Sequence, residues 1–102
     1  MTEAYLSLGS NIGNRLSNIQ TAVDLLSQTA GTTICAVSQV YETQPVGGVP
    51  QDDFYNVALR IQTAQSALLL LDKLHDIEQS LKRVRHVHWG PRTIDLDILV
   101  FG

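Results

Sequence analysis

The chain has 102 residues, of which 44% are hydrophobic and 17% are charged, and its formal net charge is −3 at pH 7. This length suits one domain with a hydrophobic core rather than two, so we expect residues 1–102 to form a single domain. The negative charge disfavours nonspecific binding to nucleic acid or to an acidic membrane surface.

Targeting signals are not evident in the sequence. The apolar cluster Leu68–Leu71 is far shorter than a membrane span, and polar Thr2 and Glu3 follow Met1 where a signal peptide would be basic and then apolar. Cys35 is the single cysteine and lies in a β-branched run, which predicts a buried thiol. We therefore expect a cytoplasmic protein in a reducing compartment.

The first half of the chain predicts a strand, a helix and a second strand. Alternation of apolar residues over Ala4–Leu8 predicts the first strand. The turn "LGSNIGNR" matches neither phosphate-binding glycine motif, and we interpret it as a structural turn with an Asn or Ser helix cap. The run 32–43 is rich in β-branched residues and predicts one long strand. Between the turn and this second strand, apolar residues recur at helical spacing until Gly31, which predicts the helix. They are Leu16, Ile19, Val23 and Leu26.

The second half predicts strand, helix and strand again. A loop over 44–53 precedes a strand over Phe54–Thr63, and Ser66 is the expected cap of the second helix. The pattern fails over 82–91, which predicts a loop. The helix stripe consists of Leu70, Leu71, Leu74, Ile77 and Leu81. In the last strand, one face is expected to carry Ile94, Leu96, Ile98 and Val100, and the other Asp95, Asp97, Leu99 and Phe101.

The element order βαββαβ predicts an α+β fold of the ferredoxin-like type. Four antiparallel strands would bury one face under two helices, and the functional site would lie on the opposite face. That open face is expected to carry Phe54, Asn56, Asp95 and Asp97.

The two aspartates of the last strand predict a cation site. Residues i and i+2 of a strand lie on one side, roughly 7 Å apart, and two like charges so placed repel each other. Two solvated carboxylates are the alternative. Leu96 and Ile98 indicate a core strand, and Arg92 lies three residues before Asp95, so we favour a bound divalent cation. Mg²⁺ suits such a site because it binds carboxylates, water and phosphate oxygens.

A basic segment precedes these aspartates. Arg83, Arg85 and Arg92 have planar guanidinium groups that match phosphate oxygens, and a closing lid would suit this segment. A solvated loop is the alternative, in which Lys82 could pair with Glu78 on the helix. His86 and His88 are assigned to the same anion-binding loop, since they lack a partner at metal-ligand spacing.

Other side chains suit a flat heterocycle. Trp89 could stack on such a ring or simply pack. Phe54 and Asn56 combine an aromatic face with an amide that both donates and accepts, although a half-exposed strand pair is the alternative. His75 lies one helical turn from Glu78, and a surface pair is the simpler interpretation of these two residues.

Four motifs resemble the 6-hydroxymethyl-7,8-dihydropterin pyrophosphokinase family: "LGSNIGNR", "YETQPVGG" followed by "FYN", "RVR" and "WGPRTIDLDI". The resemblance runs from about Ala4 to Gly102. It implies transfer of pyrophosphate from ATP to the hydroxymethyl group of a dihydropterin in folate biosynthesis, with release of AMP and with two magnesium ions. It also implies a monomer with small-molecule substrates, and neither a nucleic-acid nor a membrane partner.

By position, the resemblance implies that Asp95 and Asp97 hold both magnesium ions and that Arg83 and Arg92 act at the ATP phosphates. Arg85 and Trp89 would belong to a mobile lid. The pterin would contact Thr43, Pro45, Val46, Phe54, Asn56 and Trp89. The nucleotide would contact His75, Glu78, Arg83, Arg85 and Arg92.

The sequence departs from the family pattern in two ways. His75 stands where the family has an amide, and the chain is expected to lack a C-terminal segment that closes the pterin pocket. The alternative function is therefore a noncatalytic domain that folds and binds ATP or pterin weakly. An RNA-binding module of the same topology would need a basic sheet face with stacked aromatics, which the two aspartates oppose.

Overall fold

The structure is a computed structural model that describes residues 1–44, 51–81 and 93–102. Five strands and two helices follow one another in these ranges: β1 (Thr2–Ser10), α1 (Arg15–Ser27), β2 (Thr32–Val37), β3 (Tyr41–Thr43), β4 (Phe54–Thr63), α2 (Ala67–Leu81) and β5 (Asp95–Phe101).

All the strands belong to one antiparallel sheet. Its order is β2-β4-β1-β5, and β3 also pairs with β4. The predicted α+β class, with two helices and an antiparallel sheet, is confirmed, and the strand order is compatible with a ferredoxin-like fold. β1 is therefore an inner strand, with β4 on one side and β5 on the other.

The predicted strand over 32–43 is wrong in one respect, because the structure divides it into β2 and β3. Ser38 causes the interruption: its N–H donates to the Ala58 carbonyl at 2.9 Å, and its Oγ accepts the Ala58 N–H at 2.8 Å. A side-chain oxygen thus takes the place of a backbone acceptor. One additional residue is accommodated here, since Val37 pairs with Leu59 but Tyr41 pairs with Asn56.

Helix α1 begins at a polar N-cap and ends before Gly31, the residue at which the sequence predicts its end. Asn14 takes the N-cap role, with its Oδ1 accepting the Ser17 N–H at 3.0 Å. Gly31 follows the helix with a φ of +75°, a conformation that side chains with a Cβ rarely adopt. Before α2, Ser66 acts as predicted, with its Oγ accepting the Leu69 N–H at 3.2 Å.

The core is formed by both helices and alternate residues of the strands. Leu6 and Leu8 of β1 are fully buried, as expected for an inner strand. Leu16 is 52% exposed, so the predicted stripe of α1 is wrong at this position, and Ala22 is buried instead. The main core cluster consists of Ala4, Leu6, Leu8, Ile19, Ala22, Leu26, Val57, Leu59, Ile61, Leu70, Leu74, Ile77, Ile94 and Leu96.

A register shift in β5 overturns the predicted faces at its end. Tyr5 pairs with Val100 but Leu6 pairs with Ile98, so Leu99 is an additional residue on β5. Such a bulge reverses the alternation beyond it. Phe101 therefore packs against the core, and Val100, which was predicted to face the core, is 52% exposed.

Cys35 is exposed rather than buried. It lies at a register irregularity between Ile34 and Ala36 of β2, at the edge of the sheet. Its sulfur has one weak contact, 3.8 Å from the Thr33 carbonyl oxygen. In the described part of the chain, neither helix combines the length and apolar character needed to cross a membrane.

The bulge predicts different costs for two neighbouring substitutions. Phe101→Ala should lower the free energy of unfolding by about 2 kcal/mol, below the range for a fully buried Phe because the ring is only partly buried. Leu99→Ala should change it by less than about 0.5 kcal/mol, since that side chain is mostly exposed. Urea unfolding monitored by circular dichroism measures both. A larger loss for the Leu99 variant would contradict the register.

Candidate functional site

The acid pair of β5 lies beside β1. Asp95 is directly opposite Gly9, and Asp97 is directly opposite Ser7. Paired residues of antiparallel strands project to the same side of the sheet, and the alternate residues Leu8 and Leu96 are buried in the core. The two carboxylates thus lie on the side of the sheet away from those leucines, with Asp97 exposed and Asp95 half-buried.

Strand β4 places Asn56, another candidate site residue, in one row with Asp95. Gly9 pairs with Asn56 on one side and with Asp95 on the other. Because neighbouring strands lie about 4.8 Å apart, the backbones of Asn56 and Asp95 are roughly 10 Å apart across β1. We call this surface the polar face; its residues are Ser7, Gly9, Phe54, Asn56, Asp95 and Asp97.

The Asn56 amide is oriented by β3. Its Nδ2 donates to the Oγ1 of Thr43 at 2.7 Å. With Nδ2 directed to Thr43, the Oδ1 atom of Asn56 is directed toward Gly9. Two of the predicted substrate-binding residues, Thr43 and Asn56, are therefore in contact, and Phe54 pairs with Thr43 in the sheet.

Gly9 has a role that the sequence did not reveal. A Cβ atom at this position would lie 2.7 Å from Asn56 Oδ1 and 3.4 Å from Phe54 Cδ1. The first distance is shorter than a nonbonded contact allows, so any side chain here would displace the amide. The close approach to Asn56 explains the glycine in "LGSN", a signal that could not be interpreted before the strand pairing was known.

The β1–α1 turn also contacts the segment before β4. Asn11, which is almost fully buried, donates to Gln51 Oε1 at 2.7 Å and to the Asp52 carbonyl at 3.0 Å. Arg15 donates to the Asp53 carbonyl at 2.8 Å. The sequence predicts only a structural turn for the motif "LGSNIGNR" and does not indicate these three hydrogen bonds to the residues that lead into β4.

Glu78 of α2 contacts the edge strand. Its Oε2 accepts the backbone N–H of Leu96 at 2.8 Å. Burial raises the pKa of Glu78, and the charges of Asp95 and Asp97 raise it further, whereas the Leu96 hydrogen bond and the charge of His75 lower it. The charges of Asp95 and Asp97, and that of the exposed residue His75, therefore all act on the Glu78 carboxylate.

The remaining predicted site residues lie outside the described residues. They are Pro45, Val46, Arg83, Arg85, Trp89 and Arg92, together with Lys82, His86 and His88 of the predicted anion-binding loop.

The donor atoms of the acid pair suit a hard cation. Residues 1–44, 51–81 and 93–102 contain no group of three or more His, Cys, Asp or Glu side chains that could hold a metal ion. Asp95 and Asp97 supply carboxylate oxygens at a partly open surface, which suits Mg²⁺ with water and phosphate oxygens as its other ligands. Glu78 is bonded to the Leu96 backbone and so is placed beside this pair.

Comparison with known proteins gives a consistent result. The family described as 7,8-dihydro-6-hydroxymethylpterin-pyrophosphokinase matches residues 5–102. Over its whole length the chain is 51% identical to the "Bifunctional protein FolKE" of Lactococcus lactis, and it covers 29% of that protein. Over 97% of its length the chain is 50% identical to the 2-amino-4-hydroxy-6-hydroxymethyldihydropteridine pyrophosphokinase of Bacillus subtilis. The match covers 59% of that protein. The protein of that name in Haemophilus influenzae is 40% identical over the whole chain, which covers 64% of it. The chain thus spans less than two thirds of the length of each of these relatives.

Two substitutions of Glu78 separate its hydrogen bond from its charge. Glu78→Ala leaves the buried Leu96 N–H without an acceptor and should cost about 1–3 kcal/mol of unfolding free energy. Glu78→Gln keeps an acceptor oxygen and removes the charge. A pKa raised by folding makes the parent lose stability as pH rises from the ordinary value of 4.5 through the higher folded value. The Gln variant should therefore be at least as stable as the parent at pH 7, and should lack this decline.

Urea unfolding between pH 4 and pH 7, in buffer containing a chelator, measures these differences. Equal losses in the Gln and Ala variants at pH 7 would show that the hydrogen bond to Leu96 is not what Glu78 contributes.

Proposed function

Because this chain belongs to the 7,8-dihydro-6-hydroxymethylpterin-pyrophosphokinase family, we propose that it transfers pyrophosphate from ATP to 6-hydroxymethyl-7,8-dihydropterin. The products would be AMP and the pterin diphosphate, an intermediate of folate biosynthesis. One observation carries the proposal: Asn56 and the acid pair Asp95 and Asp97 share the polar face, with only Gly9 and Ser7 between them.

The spacing on the polar face suits a substrate that reaches from one group to the other. Phe54 would stack on the flat ring of the pterin, and Asn56 would accept a hydrogen bond from it at Oδ1 and donate one from Nδ2. Roughly 10 Å away, the acid pair would lie near the hydroxymethyl group and the phosphates. Gly9 and Ser7 are small, so the surface between these two groups is free of large side chains.

The acid pair would hold magnesium, and we propose two ions shared between Asp95 and Asp97. Bound magnesium neutralises phosphate charge and orients the triphosphate. The mutual repulsion of the two carboxylates, together with the charge of nearby Glu78, makes a cation at this edge electrostatically favourable.

The arginines would complete the phosphate site. We propose that Arg83 and Arg92 bind the phosphates and stabilise the transition state, and that Arg85 and Trp89 belong to a lid. His75 and Glu78 would lie near the nucleotide; Glu78 Oε2 already accepts the Leu96 N–H, which leaves Oε1 for a ligand. Pro45 and Val46 would complete the pterin pocket beside Thr43.

The chemistry requires no nucleophile from the protein. The hydroxymethyl oxygen of the pterin would attack the β-phosphorus of ATP and its proton would pass to solvent. The bond between that phosphorus and the oxygen bridging it to the α-phosphate would break, and AMP would leave with that oxygen. As in other phosphoryl transfers, this chain would contribute alignment and charge neutralisation. We further propose that it acts as a monomer in the cytoplasm, without a nucleic-acid or membrane partner, in keeping with its negative charge.

An assay of AMP release from ATP, magnesium and the dihydropterin tests the proposal. Asp97→Asn keeps the size of the side chain and removes a charged metal ligand. We expect kcat/KM to fall about 10²- to 10³-fold, which corresponds to a loss of several kcal/mol of transition-state stabilisation. Asp72→Asn, on the exposed side of α2, is the matched control and should leave kcat/KM unchanged.

Two results would count against the proposal. Equal activity of the Asp97 and Asp72 variants would argue against the metal site. Binding of ATP or pterin without AMP release in the parent would favour the alternative of a noncatalytic domain.

Gly9→Ala tests the pterin side of the site. The new methyl group should displace the Asn56 amide and weaken pterin binding about tenfold or more, or ~1.4 kcal/mol. The affinity for an ATP analogue with magnesium serves as the internal control and should not change. Stability should also be kept, because Ala is tolerated in a strand and the atom it meets is the end of a side chain. Isothermal titration with each ligand makes the comparison; unchanged pterin affinity would contradict the role of Asn56.

A further inference from the structure

Arg15 is the first residue of α1, and its guanidinium contacts three residues outside the helix. It donates to the Asp53 carbonyl at 2.8 Å, lies 3.8 Å from the centre of the Tyr55 ring and is 3.9 Å from Glu42 Oε2. We propose that Arg15 is a positioning residue for pterin recognition, a role that rests on the function proposed above.

The residues that Arg15 contacts are chain neighbours of Phe54 and Thr43, which lie at the proposed pterin site. Asp53 and Tyr55 are the chain neighbours of Phe54, and Glu42 precedes Thr43, which orients the Asn56 amide. One guanidinium group therefore connects the start of β4 to β3. Asn11 supports the same arrangement by bonding to the two residues before Asp53.

Arg15 itself does not lie on the polar face. Tyr55 alternates with Phe54 and Asn56 along β4, so its ring projects to the other side of the sheet and packs against the core cluster. The guanidinium over that ring is thus behind the strand that carries the recognition residues. Arg15 would act on the pterin only through the position of residues 53–56.

The chemistry of these contacts requires an arginine. A planar guanidinium can lie over an aromatic ring and donate from its edge at the same time, whereas a lysine ammonium is a single compact charge. The Arg15 side chain is 25% exposed, which favours the ring contact, while Glu42 is 56% exposed and its ion pair contributes little.

Helix stability does not account for the charge at this position. The N-terminus of a helix carries partial positive charge, so a cation there is unfavourable by about 0.3–1 kcal/mol at an exposed site. The first turn of α1 contains no acidic residue that would offset it, and Asn14 already caps the helix. The favourable contacts of Arg15 are instead those with β3, β4 and the segment before β4.

The test compares Arg15→Ala and Arg15→Lys with Arg60→Ala. Arg60 is the matched control, because it is also an arginine with a surface ion pair, to Glu3 at 3.5 Å, and it lies six residues after Phe54 along β4. Amide hydrogen exchange of residues 53–57, measured by NMR without substrate, reports the position and order of the segment. Steady-state kinetics then give KM for the pterin, KM for ATP and kcat.

In Arg15→Ala we expect exchange at residues 53–56 to be about tenfold faster and KM for the pterin to rise about tenfold, which corresponds to ~1.4 kcal/mol. KM for ATP and kcat should stay within about twofold of the parent. Arg15→Lys should recover only part of the pterin affinity, and it keeps the test decisive if the Ala variant folds poorly. Arg60→Ala should match the parent in every measurement.

Several results would overturn the inference. Unchanged exchange in both Arg15 variants, an equal loss of ATP and pterin affinity, or faster exchange with unchanged pterin KM would each do so. If the parent binds neither ligand, the proposed function fails, and the exchange data alone then decide whether Arg15 positions the segment.

Discussion

Backbone pairing of β1 with β4 on one side and with β5 on the other aligns Asn56, Gly9 and Asp95 in one row. Main-chain hydrogen bonds set this alignment, and a slip of one residue in a strand would turn the candidate site residues of that strand toward the core. The buried leucines of β1 stabilise the register, because Leu6 and Leu8 are fully enclosed by the helices and neighbouring strands. Packing of the core and geometry of the polar face are thus two results of the same pairing.

Ionisation of Glu78, beside β5, is disfavoured in the folded state. Burial raises the pKa of Glu78, and the charges of Asp95 and Asp97 raise it further. The Leu96 N–H compensates in part, because it donates to one Glu78 oxygen. An edge arranged in this way should be most stable with positive charge bound, which links folding of the strand to occupancy of the proposed site.

Much of the architecture was predictable from periodicity and turn residues. Alternation and helical spacing placed both helices and the strands around the core, and Ser66 was identified as a cap. Two local features were not predictable. The Ser38 hydroxyl substitutes for a backbone acceptor, and the additional residue at Leu99 reverses the faces of Val100 and Phe101; both depend on the partner strand, which no local pattern contains.

The site shows the same division. The acid pair and the Phe54 and Asn56 pair could be proposed as site residues from the sequence, because their side chains have distinctive chemistry on alternating positions. The contacts of Gly9 and Arg15 could not be predicted, for physical reasons: a glycine matters here through the atoms it leaves room for, and Arg15 contacts residues of β3, of β4 and of the segment before β4, all distant from it in the chain. Nonlocal contacts of this kind become visible only once the strands are paired.

The bulge at Leu99 separates the two ends of β5. Asp95, Asp97 and Phe101 occupy odd positions, and an uninterrupted strand would place all three on one side of the sheet. The additional residue lets the acids stay at the surface while the aromatic ring enters the core. Within this fold, the length of the chain between Asp97 and Phe101 is therefore as restricted as its composition. If a single residue were lost there, the acid pair could not stay at the surface while Phe101 packs in the core.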